Sequence, residues 1–244
     1  MADRDDASLF DHQASSGSED VTVSAQAERI VRRHAAVGGL CPLIPVPFLD
    51  DAIQGRIHRR MVRQLASCQN STLSDGVAKR LTEQPSSFLS GVGTRLVLWP
   101  VKKVVRKVVY VLAVRSCAEE AARIYHEGWL LARALEAGYV DPEGLASSEE
   151  EASRLREAIL GATDEVGLSV TKRAMKSAFS LGRAGLGELV TSVRGLLGKE
   201  AKPTDLAAAE ASTEPLARRM KTALDEEWNQ GGALDAALRQ HLER

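Results

Sequence analysis

Apolar positions recur every three to four residues over most of the chain, and the pattern restarts at clusters of glycine and proline. A first helix carries Ala25, Ile30, Val31, Ala35 and Ala36, with Ser24 placed to cap it and Gly38-Gly39 to stop it. The apolar stretch GGLCPLIPVPFLDD, Gly38–Asp51, comes next. A second helix is expected from near Pro47 to about Ser67, because Ile53, Ile57, Met61 and Leu65 recur every four residues. Arg56, Arg59, Arg60 and Arg63 occupy much of its other surface. A shorter helix, roughly Leu73 to Glu83, follows the capping residue Ser74.

The run VKKVVRKVVYVLAV is rich in valine, yet its doublets break the strict alternation that a half-buried strand needs. Wound as a helix, Val101, Val104, Val105, Val108 and Leu112 fall on one face and Lys102, Lys103, Arg106 and Lys107 opposite. That helix is expected to continue to Gly138. Asp141-Pro142-Glu143-Gly144 reads as a turn, and Ser147 or Ser148 with Glu150 or Glu151 as a capping box. One helix, bent at Gly167, then reaches Leu197 with Leu168, Met175, Phe179, Leu186, Leu189, Val193 and Leu196 in a single stripe.

The expected fold class is therefore all-α: an antiparallel helical bundle with a Pro-rich interhelical elbow, a long helical extension and a disordered N-terminus. Residues 1–22 form an acidic tail too polar to order itself. A helical domain over 24–140, an amphipathic extension over 145–199, a linker over 200–213 and a C-terminal helical pair over 214–244 follow.

Charge sharpens this division. The net charge of −1 resolves into blocks of about −5 (1–22), +7 (23–141), −5 (142–167), +5 (168–199) and −3 (200–244). Basic blocks suit phosphate, of lipid headgroups or of nucleic acid, and the acidic blocks can also neutralise them within the chain. Three scattered cysteines with no CxxC pair suit a reducing compartment.

No catalytic, metal or cofactor constellation is evident. His34, His58 and His126 lack metal-ligand spacing, and Cys41 reads as a small apolar residue. Gly91-Val-Gly93 lacks the rest of a dinucleotide fingerprint, and Gly195-Leu-Leu-Gly198-Lys199 lacks the phosphate-loop spacing. Glu119-Glu120 and Glu149–Glu151 read as solvated faces. The arginines of the second helix could meet phosphate, but nucleic acid is disfavoured by the absence of helix-turn-helix spacing and of aromatic interleaving.

Two runs suit an anionic surface, such as lipid headgroups. The first carries Lys102, Lys103, Arg106 and Lys107 between the interfacial aromatics Trp99 and Tyr110. The second carries Lys172, Arg173, Lys176, Arg183 and Arg194. Neither can span a bilayer, which takes about 20 apolar residues. In the elbow, Pro42, Pro45 and Pro47 preset φ and remove donors, so a tight link after Gly39 can be buried with fewer unpaired N–H groups. Asp50 or Asp51 then enters the first turn of the next helix, where the dipole favours an anion.

Those elbow residues carry a resemblance. Ile30-Val31, Ala35, Gly39, Leu43-Ile44-Pro45-Val46-Pro47, Asp50 or Asp51, Met61 and Leu65 make the segment from Glu28 to about Tyr139 similar to a helical bacterial family. Its members are usually counted as inner-membrane proteins and often sit beside or fused to Era-type GTPases. The resemblance implies a helical fold, a place at the membrane and a GTPase or other protein as partner; it supplies no catalytic residues. The helices here are more charged than those of membrane-spanning members, which shifts the expectation to a peripheral position.

The expected function is that of a non-enzymatic protein at the cytoplasmic face of the membrane. The alternative is a soluble helical interaction module whose acidic segments mask a basic core.

Overall fold

The structure, a computed structural model, describes residues 21–43, 49–83, 105–180, 182–196 and 202–244, with side chains except at 49–52, 105–110, 182–184 and 195–196. Among these residues there are eleven α-helices and no strand, so the all-α class holds. Residues 1–20, which contain nearly all of the expected disordered tail, lie outside the described residues.

Helix α1 (Ala25–Gly38) begins at Ser24, whose hydroxyl accepts from Ala27 N as the sequence anticipates. Its end is fixed by Gly39, buried in tight quarters. A β-carbon there would stand 2.7 Å from the Phe179 ring and 2.9 Å from Ala121 Cβ. A 3₁₀ turn, Cys41–Leu43, follows, with Cys41 buried and Pro42 half-buried. Pro45 and Pro47 lie outside the described residues. Helix α2 (Leu49–Cys68) holds Asp50 and Asp51 in its first turn and buries the foreseen stripe Ile53, Ile57, Met61 and Leu65.

Helix α3 (Asp75–Arg80) is capped by Ser74, which accepts from Val77 N. Ser74→Ala is expected to cost about 1 kcal/mol, read as a lower urea midpoint with unchanged slope.

Helix α4 (Val105–Glu136) resolves the valine run as helix from Val105 onward; Val101–Val104 lie outside the described residues. It is the axis of the fold. Among its described side chains, burial begins at Val114 and continues through Ile124, Trp129 and Leu135, where α1, α2, and later α6, α7 and α11 pack against it.

The second half departs from the single bent helix expected there. Helices α5 (Pro142–Ser147), α6 (Glu149–Val166), α7 (Ser169–Phe179) and α8 (Gly182–Leu196) are separate. Gly167 stops α6 outright by taking φ +74°, a conformation that residues with a β-carbon rarely adopt. Helix α7 closes at Ser180. The segment expected as a linker instead contains α9 (Pro203–Ser212), which starts with Pro203 and buries Leu206 and Ala209. Helices α10 (Glu214–Glu227) and α11 (Gly231–Leu242) match the foreseen C-terminal pair, but Gly231 opens α11 where a break was expected.

One hydrophobic core runs through all of these segments. It joins Val31 and Ala35 of α1 to Leu155 of α6, Phe179 of α7, Val193 of α8 and Leu238 of α11. Helix α10 packs on both α1 and α7, and α11 on α6.

Candidate functional site

Two groups of residues stand out once the helices are placed. The first is a buried polar cluster between α2, α4 and α6. Glu127 of α4 accepts from Arg156 Nη1 at 2.8 Å on its Oε2, and His58 Nδ1 of α2 lies 3.9 Å from the same oxygen, too far for a hydrogen bond. Arg156 also donates through Nε to the Glu83 carbonyl at 3.1 Å. All three side chains are at most 6% exposed. Burial opposes ionisation of Glu127, but Arg156 and His58 beside it win, and its carboxyl is held below the ordinary range. Burial pushes His58 down to about 4, against the pull of Glu127.

His126 points elsewhere. Adjacent helical residues diverge by about 100°, so while Glu127 faces α2 and α6, His126 Nε2 meets Thr171 Oγ1 of α7 at 2.6 Å. Its ring also lies edge-on to Trp228, with centroids 5.7 Å apart, and burial lowers its pKa to about 4. His34 of α1 is fixed by the Ile30 carbonyl at 2.8 Å and faces Glu210 of α9 at 3.4 Å. Burial lowers its pKa as well.

Beside His58, Glu127 and Arg156 lies a cavity of about 10 Å³, closed by Met61, Leu81, Leu131 and Ile159. That is the size of one water molecule, far below the several hundred Å³ of ordinary ligand sites. Among the described residues the cluster thus ties α2, α4 and α6 together around room for one water. Among the described residues no group of three or more His, Cys, Asp or Glu is placed to hold a metal ion.

The second group centres on Val111 and Leu112, two turns into α4. Val111 and Leu112 are 56% and 47% exposed, the large apolar side chains most open to solvent among the described residues. They follow directly on Arg106, Lys107 and Tyr110, which the structure places in the first turns of the same helix. Trp99, Lys102 and Lys103 lie outside the described residues. Among those described, no helix is long and apolar enough to cross a membrane.

The other basic run has a different fate. Its apolar stripe turns inward: Met175, Phe179, Leu186 and Val193 are all buried. Lys172 pairs with Glu119 at 2.6 Å and Arg173 with Glu227 at 3.1 Å, which leaves Lys176 and Arg194 exposed; Arg183 is described by its backbone alone. The arginines of α2 are partly spent in the same way. Arg60 donates to Glu210 at 2.5 Å, and Arg63 pairs with Asp75.

Of the run the sequence singled out at 101–114, the described side chains leave Val111 and Leu112 exposed and bury Val114, and the sequence reading missed Arg156, Thr171 and Glu210. A readable sign existed for the cluster. Glu127 stands between Ile124 and Leu131, and Arg156 between Ala152 and Ile159, three or four residues from apolar neighbours that are buried. A charged residue in register with an apolar stripe is carried into the core and must find a partner there.

Comparison with protein-family models, with curated proteins and with solved structures gives no match to this chain.

Proposed function

We propose that this chain is a non-enzymatic helical protein that docks on an anionic membrane surface through the start of α4, as partner or adaptor of a membrane-associated assembly. The observation that carries this reading is the exposure of Val111 and Leu112 on a helix whose preceding turns bear Arg106 and Lys107. Basic residues beside exposed apolar ones suit a headgroup layer, where the cations meet phosphate and the apolar side chains enter the acyl boundary. A GTPase as the protein partner rests on the resemblance of residues 28–139 alone.

Flotation with vesicles of phosphatidylcholine and phosphatidylserine tests the reading. The protein should float with anionic vesicles at low salt and be released as salt screens the attraction. Neutralising Lys102, Lys103, Arg106 and Lys107 together should abolish flotation. A protein that stays at the bottom at low salt contradicts the proposal.

A second reading is supported by the ion pairs that join acidic and basic blocks. Glu210 and Glu214 from the acidic C-terminal segment meet Arg60 and Arg33 of the basic N-terminal one, and Glu227 meets Arg173 of the second basic block. In this reading the chain is a soluble interaction module whose acidic segments satisfy its basic ones. Flotation separates the two, because internal neutralisation leaves vesicles unbound at any salt concentration.

A further inference from the structure

On the outer side of the contact between α1 and α10, three guanidinium groups converge on one carboxylate. Arg33 Nε donates to Glu214 Oε2 at 2.6 Å, Arg29 Nη2 lies 3.7 Å from Glu214 Oε1, and Arg218 Nε lies 3.9 Å from that oxygen. One negative charge thus serves three positive ones, an excess of two.

The donors are unequally used. Arg33 spends its Nε on Glu214, whereas the guanidinium groups of Arg29 and Arg218 donate no hydrogen bond to any described residue and their side chains are 59% and 76% exposed. Each guanidinium carries five N–H donors in a planar fork that matches phosphate oxygens. The spacing is set by helices, since Arg29 and Arg33 are one turn apart on α1 and Glu214 and Arg218 one turn apart on α10. Glu214 is also the first residue of α10, so the positive end of that helix adds to the local potential. Thr213 does not cap it, because its hydroxyl donates back to the carbonyls of Ala209 and Glu210.

We propose that Arg29, Arg33 and Arg218, gathered by Glu214, form a binding site for a phosphomonoester. Such a group carries about two negative charges near neutral pH, which matches the excess. Its oxygens accept from the open forks of Arg29 and Arg218, while Glu214 keeps Arg33 in place behind them. The site shares no residue with the start of α4 and is independent of the membrane reading.

Titration calorimetry with phenyl phosphate at low ionic strength tests the site on the full chain. The unaltered protein should bind, and Arg29→Gln/Arg218→Gln should weaken binding by at least about tenfold. Lys176→Gln/Arg194→Gln, which removes two exposed cations elsewhere, should leave it unchanged. Co-sedimentation with phosphatidylcholine vesicles containing phosphatidic acid then identifies the source. Pelleting that Arg29→Gln/Arg218→Gln reduces assigns the phosphate to a lipid headgroup; phenyl phosphate binding without that reduction assigns it to a soluble molecule. No heat from the unaltered protein, or an equal loss in the Lys176/Arg194 variant, overturns the site.

Discussion

Between pH about 6.5 and about 4 the protein is expected to lose about 1.4 kcal/mol of stability per pH unit for each histidine that it holds neutral in its core. Folded values for His58 and His126 lie near 4, below the ordinary imidazole value of 6.5. Across that window the unfolded chain therefore binds protons that the folded chain refuses. The contribution is complete above the upper limit, falls through the window and levels off below the lower one. His34, also lowered by burial, adds to the slope in the same direction.

The charges around each ring agree with this sign. His58 faces Glu127, Arg156, His34 and Arg123, and burial outweighs the one carboxylate among them. The His126 ring feels the charge of Glu127, its neighbour in the chain, less than its own burial, and His34 faces Glu210 against Arg60 and Arg33. Glu127 acts at the lower edge, because its depressed carboxyl contributes stability that is complete only above the ordinary carboxyl value of 4.5 and lost below it. Urea unfolding over a pH series measures the slope, and His126→Gln should reduce it by the share of one histidine. A flat profile between 6.5 and 4 would contradict neutral buried rings.

The second large effect belongs to the ion pair itself. Arg156→Ala is expected to destabilise the fold by about 3–5 kcal/mol, since Glu127 is then left charged in the core without its 2.8 Å partner. It also frees the Glu83 carbonyl, which Arg156 holds at the end of the described segment after α3. Arg156→Met with Glu127→Gln should recover most of the loss, because the charge to be compensated is gone and the volume is kept. Urea midpoints near neutral pH decide the matter. A single variant as stable as the double one would show that the pair carries no such burden.

Much of this fold was legible because its first half follows single-helix rules. The four-residue stripe of α2, the caps at Ser24 and Ser74 and the doublet pattern of the valine run each act within one helix. The stripe from Met175 to Val193 was also legible as a stripe, although its period crosses the break at Ser180 that divides α7 from α8. Period alone cannot say whether such a face meets lipid or core. What decided it was α4, α9 and α10 lying beside α7 and α8.

Other features depended on partners distant in sequence. Arg60 and Glu210 are 150 residues apart, and His126 and Thr171 are 45 apart, so no local spacing announces either contact. Alanine-rich 203–212 resembled a linker because its few large side chains leave little amphipathic signal, yet Leu206 and Ala209 anchor it in the core. The start of α4 stood out for the opposite reason: its charges and apolar residues are crowded into a few turns.

Whether Leu112 enters lipid is the most direct question to ask of the molecule. An environment-sensitive fluorophore on Leu112→Cys in a Cys68→Ser background can answer it, since Cys41 and Cys117 are buried. On adding phosphatidylserine vesicles at low salt the emission should shift to the blue, and added salt should reverse the shift. Emission that stays at its aqueous wavelength with vesicles in excess would contradict a membrane-docking role for this helix.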